Sequence, residues 1–143
     1  MSNFTTFSTQ IKTVLQAVQQ SGSAAFVDVL EYPSNKFTGF PSATVVPSDV
    51  QSDYATVKQN RRRYVFNVYL YYSLENSNQA TAYTNMRILI DTVLDALDKS
   101  NDLSGNADFV TPVPMQWGVQ ETESGVCLVA PVNVICEKDI ALY

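Results

Sequence analysis

The chain predicts an α+β fold: an antiparallel or mixed β-sheet of about 4-6 strands with two α-helices packed on one face. Three observations predict it. In Arg61 to Glu75, RRRYVFNVYLYYSLE, the residues Tyr64, Phe66, Val68, Leu70, Tyr72 and Leu74 recur every second position, which lines one face of an extended strand. Two other stretches carry apolar residues at alternating spacings of three and four, the period of an amphipathic helix. Near the C-terminus the alternation of two returns, from Val126 to Cys136.

In chain order, residues 4–20 form the first expected helix. Phe4, Phe7, Ile11, Val14 and Val18 make its stripe, Thr5, Thr6 and Ser8 offer N-caps, and Gly22 ends it. AAFVDVLE, residues 24–31, reads as a short strand. After a turn-rich link containing Pro33 and Gly39, residues 43–46 read as another, bracketed by Pro41 and Pro47, which confine pairing to its ends or to an edge. The polar stretch 48–60 reads as an exposed loop or arm, and the long strand from Arg61 follows as the centre of the sheet. Asn76, Ser77 and Asn78 end that strand and cap the second helix. This helix spans 79–99, where Tyr83, Met86, Ile90, Val93 and Leu97 repeat the spacing, and Asn101 to Gly105 stop it. Pro112 and Pro114 make 106–114 loop or irregular strand. Met115, Trp117 and Val119 alternate along a strand, ETESG turns, and a long last strand closes a hairpin. The tail DIALY is apolar enough to dock.

At 143 residues the chain predicts one domain, 1–143, large enough for a core without disulfides or metals. Its 16% charged residues are few, and eight Tyr and seven Phe are many. Both favour a surface partly buried against other chains. The net charge of −5 argues against a surface built to neutralise phosphates. With no His, the commonest general base and the serine and cysteine triads are missing. Glycines form neither a phosphate loop nor a nucleophile elbow. We therefore expect no enzyme and no cofactor or metal. Cys127 and Cys136, nine positions apart on one strand, lie roughly 30 Å apart on opposite faces. Two free thiols and a reducing compartment are expected. The N-terminus MSNFTTFS has neither the basic region nor the apolar run of a signal peptide, and no apolar stretch approaches membrane-spanning length.

The charged candidates are few. Arg61, Arg62 and Arg63, with Lys58, suit carboxylates of another subunit or phosphate; the plainer reading is a solvated strand start. On a strand Arg61 and Arg63 share one side and Arg62 takes the other. Asp91, Asp95, Asp98 and Asp102 share one face of the second helix, a solvated stripe or a partner-facing one rather than a metal site. Asp49 and Asp53 belong to the polar loop with Tyr54. Tyr69 and Tyr71 lie on the second face of the long strand, where no partner within the chain is evident. Trp117 reads as core.

In order and spacing the chain resembles the tail terminator and related tail-completion or minor tail proteins of long-tailed bacteriophages. The stretches that carry this are FPSATVVPSD before a polar loop, NRRRYVFNVYLYY, MRILIDTVLDALDKSNDLSG and VNVICEKDI. The polar stretch 49–60 departs from that pattern. The resemblance implies a small α+β subunit of a homo-oligomer, a hexameric ring, that caps the head-proximal end of the tail tube. Its partners would be the tail tube protein and the head-tail connector or stopper. DNA would pass without specific binding, no membrane would be involved, and the location would be the virion tail or neck, with the host cytoplasm during assembly. A head-completion or neck subunit is the nearest alternative; a monomeric ligand-binding module with Trp117 and tyrosines in its pocket is another. On this reading Asp49, Asp53, Tyr54, Lys58, Arg61, Arg62, Arg63, Tyr69 and Tyr71 meet a neighbour or the tube, and a neighbour's Asp91, Asp95 or Asp98 faces the arginines.

Overall fold

The computed structural model describes residues 3–20, 22–56, 59–74, 79–103 and 105–141, with the side chains of 53–56, 59 and 141 outside that description. The elements are α1 (Asn3–Ala17), β1 (Gln19–Gln20), β2 (Ser23–Ala24), β3 (Asp28–Leu30), β4 (Ser42–Thr56), β5 (Gln59–Ser73), α2 (Gln79–Lys99), β6 (Phe109–Pro114), β7 (Gly118–Thr122) and β8 (Gly125–Ala141). Six strands form one mixed sheet in the order β3-β4-β5-β8-β6, with β7 also on β8. β3 is parallel to β4; the other pairs are antiparallel. The α+β architecture is as expected, and β5 is its central strand.

The alternation in β5 sets the core. Phe66, Val68 and Leu70 are fully buried and Tyr64 nearly so. Their partners across β8 are Val134, Val132, Ala130 and Cys136, so the even positions of both strands share one face. Onto it α1 packs Phe7, Ile11 and Leu15, and α2 packs Met86, Leu89, Val93 and Leu97. Phe4 and Phe7 meet the Tyr64 ring edge-on, with centroids 5.0 and 5.2 Å away. Truncating a side chain such as Phe66 here costs about 3–5 kcal/mol. Trp117 stacks on Tyr83 at 5.9 Å and packs against this core.

Several boundaries differ from the sequence reading. α1 begins at Asn3, so Thr5, Thr6 and Ser8 lie inside it, and it ends at Ala17. Gly22, at φ +82°, serves the turn between β1 and β2 instead. Residues 48–56 are not a loop. They continue β4, pairing with β5 from Asp49↔Val65 to Thr56↔Gln59. Pro47 sits beside a β-bulge there, on a part of β4 that β3 does not reach, as an edge position allows. Residues 109–114 form a regular edge strand. Met115 N–H donates to Pro131 O at 2.9 Å; by alternation Pro112 and Pro114 direct their donor-less nitrogens to the open edge. Met115 to Trp117 are not strand but the crossing from β6 to β7, both of which lie along the same side of β8. The tail joins β8 as far as Ala141. Asn76 to Asn78, Leu142 and Tyr143 lie outside the described residues.

Candidate subunit-interaction surface

The helices leave the other face of the sheet to be covered by something else. Its upper end is covered by the link between β3 and β4. Phe37 packs on Tyr71 with centroids 4.7 Å apart, beside Cys127 and Val129. The link is fastened: Phe37 N–H donates to Ser124 Oγ at 2.8 Å, Ser124 Oγ donates back to Phe37 O, and Glu123 N–H donates to Asn35 O at 2.8 Å. Tyr71 is therefore 5% exposed, against the expectation of an open tyrosine. Burial raises its pKa, outweighing the opposite pull of the Thr44 hydroxyl. Tyr69 is half-buried at the border of this cluster.

Among the described residues the cover stops below Tyr69. The register sets Val46, Asn67, Asn133 and Val113 in one row and Asp49, Val65, Ile135 and Thr111 in the next. Phe109 follows opposite Glu137 and is 50% exposed. These residues shield one another partly, and neither packing cluster of the chain extends over them. A sheet face that mixes apolar and polar side chains, with no second layer among the described residues, marks a place for another surface.

At the foot of this face the charges pair within the chain. Arg61 Nε donates to Asp139 Oδ1 at 2.9 Å and Arg63 Nε to Glu137 Oε1 at 2.8 Å. The hydrogen bond from Arg61 and its charge hold the Asp139 carboxyl below the ordinary value. Two of the three arginines thus have partners that the sequence reading sought in a neighbour. Arg62 differs. It lies on the helix-bearing face, directly opposite Lys138 in the register, a like-charge pair that costs stability unless an anion joins it. Arg62 Nη1 and Asn3 Nδ2 both donate to the Tyr64 hydroxyl, at 3.5 and 3.1 Å. Burial pushes the Tyr64 phenol up, but these donors and the charges of Arg62 and Lys138 together bring it below its ordinary value.

The remaining candidates are dispersed. Asp91, Asp95 and Asp98 are exposed along α2, which packs on the other face of the sheet, and Asp102 lies not on the helix but in the turn after Lys99. Asp49 is exposed and accepts the Val50 N–H at 2.8 Å. Asp53 and Tyr54 are placed by backbone only, opposite Arg61 and Asn60, and Lys58 lies outside the described residues. The sequence reading did not set Glu137, Lys138 and Asp139 opposite the arginines. Their signal was the sign pattern: Arg-Arg-Arg in one strand faces Asp-Lys-Glu read backwards in another. It also missed Phe37 and Phe40, whose signal was two aromatics inside a polar, turn-rich link.

A groove of about 530 Å³ lies between the fastened link and the sheet, lined by Pro33, Ser34, Asn35, Thr44, Val46, Tyr69, Tyr71 and Gln120. Neither Cys127 nor Cys136 is in a disulfide, and the two are buried on opposite faces; burial pushes the Cys136 thiol up to about 12. Among the described residues no group of three or more His, Cys, Asp or Glu is placed to hold a metal ion, and no helix is long and apolar enough to cross a membrane. No protein-family model matches the chain, and no curated protein matches it.

Proposed function

We propose that the protein is a structural virion subunit that assembles into a ring, a tail terminator that caps the tail tube and offers a joining surface to the head. The observation that carries this reading is the half of the sheet that no other described residue covers, where Val46, Val65, Ile135, Val113 and Phe109 lie among polar neighbours. The cation pair Arg62 and Lys138 supports it. Like charges held face to face on a strand pair are relieved by carboxylates of another copy, and the exposed Asp91, Asp95 and Asp98 of α2 are the densest supply in the chain. The resemblance to tail terminator proteins implies the phage context and the expectation of six copies.

The test is imaging of particles from a phage lacking this gene. Overlong tail tubes without heads support a terminator; normal tails with leaking heads replace it by a head-completion subunit. Charge reversal at Arg62 and Lys138 that leaves ring assembly intact at moderate salt removes the electrostatic contact from the reading. The groove at Tyr69 favours the second reading, a monomeric ligand-binding module, which sedimentation as a monomer at all concentrations would support.

A further inference from the structure

Two uncharged surfaces of the chain lie on the bare side of the sheet, one at the Tyr71 end and one along the β6 edge. One is the groove over β4 and β5. None of the described side chains that line it is charged, and its volume falls within the roughly 300–1,000 Å³ of small binding pockets. Its rim is held by the bonds that fasten Asn35 and Phe37 to the β7–β8 turn, so it exists before anything enters. At its floor Thr44 is wholly buried, and its Oγ1, beside the Tyr71 hydroxyl, makes no hydrogen bond of ordinary geometry. The other surface is the edge strand β6 with Met115. From Phe109 to Met115 there is no charge, and Phe109, Val113 and Met115 are 50%, 37% and 47% exposed. Strand addition cannot cover this edge, because Pro112 and Pro114 remove two of the donors that an added strand needs. Whatever covers β6 recognises side chains.

We propose that β6 of one copy seats in the groove of the next, with Val113, Pro114 and Met115 against Tyr69, Val46 and Pro33. This rests on the ring reading and names its apolar contact. A second copy is the occupant for three reasons. Neither surface carries charge, so neither loses ion hydration when they meet, as a charged partner would. Aromatic grooves are a common seat for extended proline-bearing segments. The two surfaces are different parts of the chain, with the groove over β4 and β5 and the strand at the β6 edge, so each copy keeps one of each free for another neighbour. Such head-to-tail contacts repeat until a ring closes. Pairing β6 with β6 would instead leave every groove empty.

The test uses two variants of the full chain, Val113→Asp on the strand and Gln120→Arg on the groove rim, each checked for native folding by circular dichroism. Met115→Asp replaces the first if it melts early. Native mass spectrometry should show each variant alone as a monomer. An equal mixture should give heterodimers and nothing larger, since one intact strand then meets one intact groove and the chain of contacts ends there. A mixture that stays monomeric, or a variant that still forms the wild-type oligomer, overturns the proposal while leaving the ring reading in place. Wild-type protein that is monomeric at every concentration overturns both.

Discussion

Arg63 and Glu137 stand directly opposite each other in the β5–β8 register, joined by a 2.8 Å hydrogen bond at the foot of the bare sheet face. Both side chains remain about a third exposed. A double-mutant cycle with Arg63→Ala and Glu137→Ala, read by urea denaturation, should give a coupling of about 0.2–1 kcal/mol that shrinks with added salt. A larger, salt-independent coupling would mean that this site is more enclosed than its exposure indicates.

Asp139 titrates below the ordinary aspartate value because Arg61 bonds and faces its carboxylate. A depressed native pKa contributes stability that is present above the unfolded value, about 3.9, and lost as pH falls through the native one. Following the Asp139 carboxyl by NMR should give a midpoint below that value, and Arg61→Gln should move it back up. An unchanged midpoint in the variant would separate the shift from Arg61.

Cys136 is sealed in the main core, and its thiol is raised from 9.0 to about 12 by burial. A raised native pKa means that this contribution to stability holds below the unfolded value and is lost as pH rises from about 9 toward 12. Native protein at pH 8 should leave the thiol unreacted with an aromatic disulfide reagent, and denaturant should release it. Cys136→Val should weaken the alkaline loss of stability.

Lys138→Glu should turn the Arg62 like-charge pair into an opposite pair and stabilise the isolated chain by about 0.2–1 kcal/mol. If the pair serves another copy, the same variant should assemble less well. A melting temperature that rises while oligomer mass falls is the expected signature. A rise in both would leave the pair without a role in assembly.

What the sequence made legible was whatever faces the helices. The alternation from Tyr64 to Leu70 reports burial directly, and so does the spacing of Met86, Ile90, Val93 and Leu97, whose helix begins and ends where expected. The distal half of β4 was illegible for the same reason. From Asp49 to Asp53 no apolar alternation arises, because the strand there is held by pairing with β5 and not by burial. The cover over Tyr71 was hidden differently. Phe37 and Phe40 reach the sheet from an irregular link, and no periodicity announces a residue that packs from a loop. The partners of Arg61 and Arg63 needed the register of two strands more than 60 residues apart, which only the folded chain supplies.

β5 and β8 run in unbroken register from Gln59↔Ala141 to Ser73↔Cys127. This matters mechanically. A pull along the strands loads every rung of that ladder together, in shear, whereas a pull across them would open the rungs one at a time. The longest strand of the molecule and the central one are thus bonded into a strut. A push or twist delivered at the charged foot, near Arg61 and Asp139, reaches the groove end at Tyr71 and Cys127 as a rigid displacement.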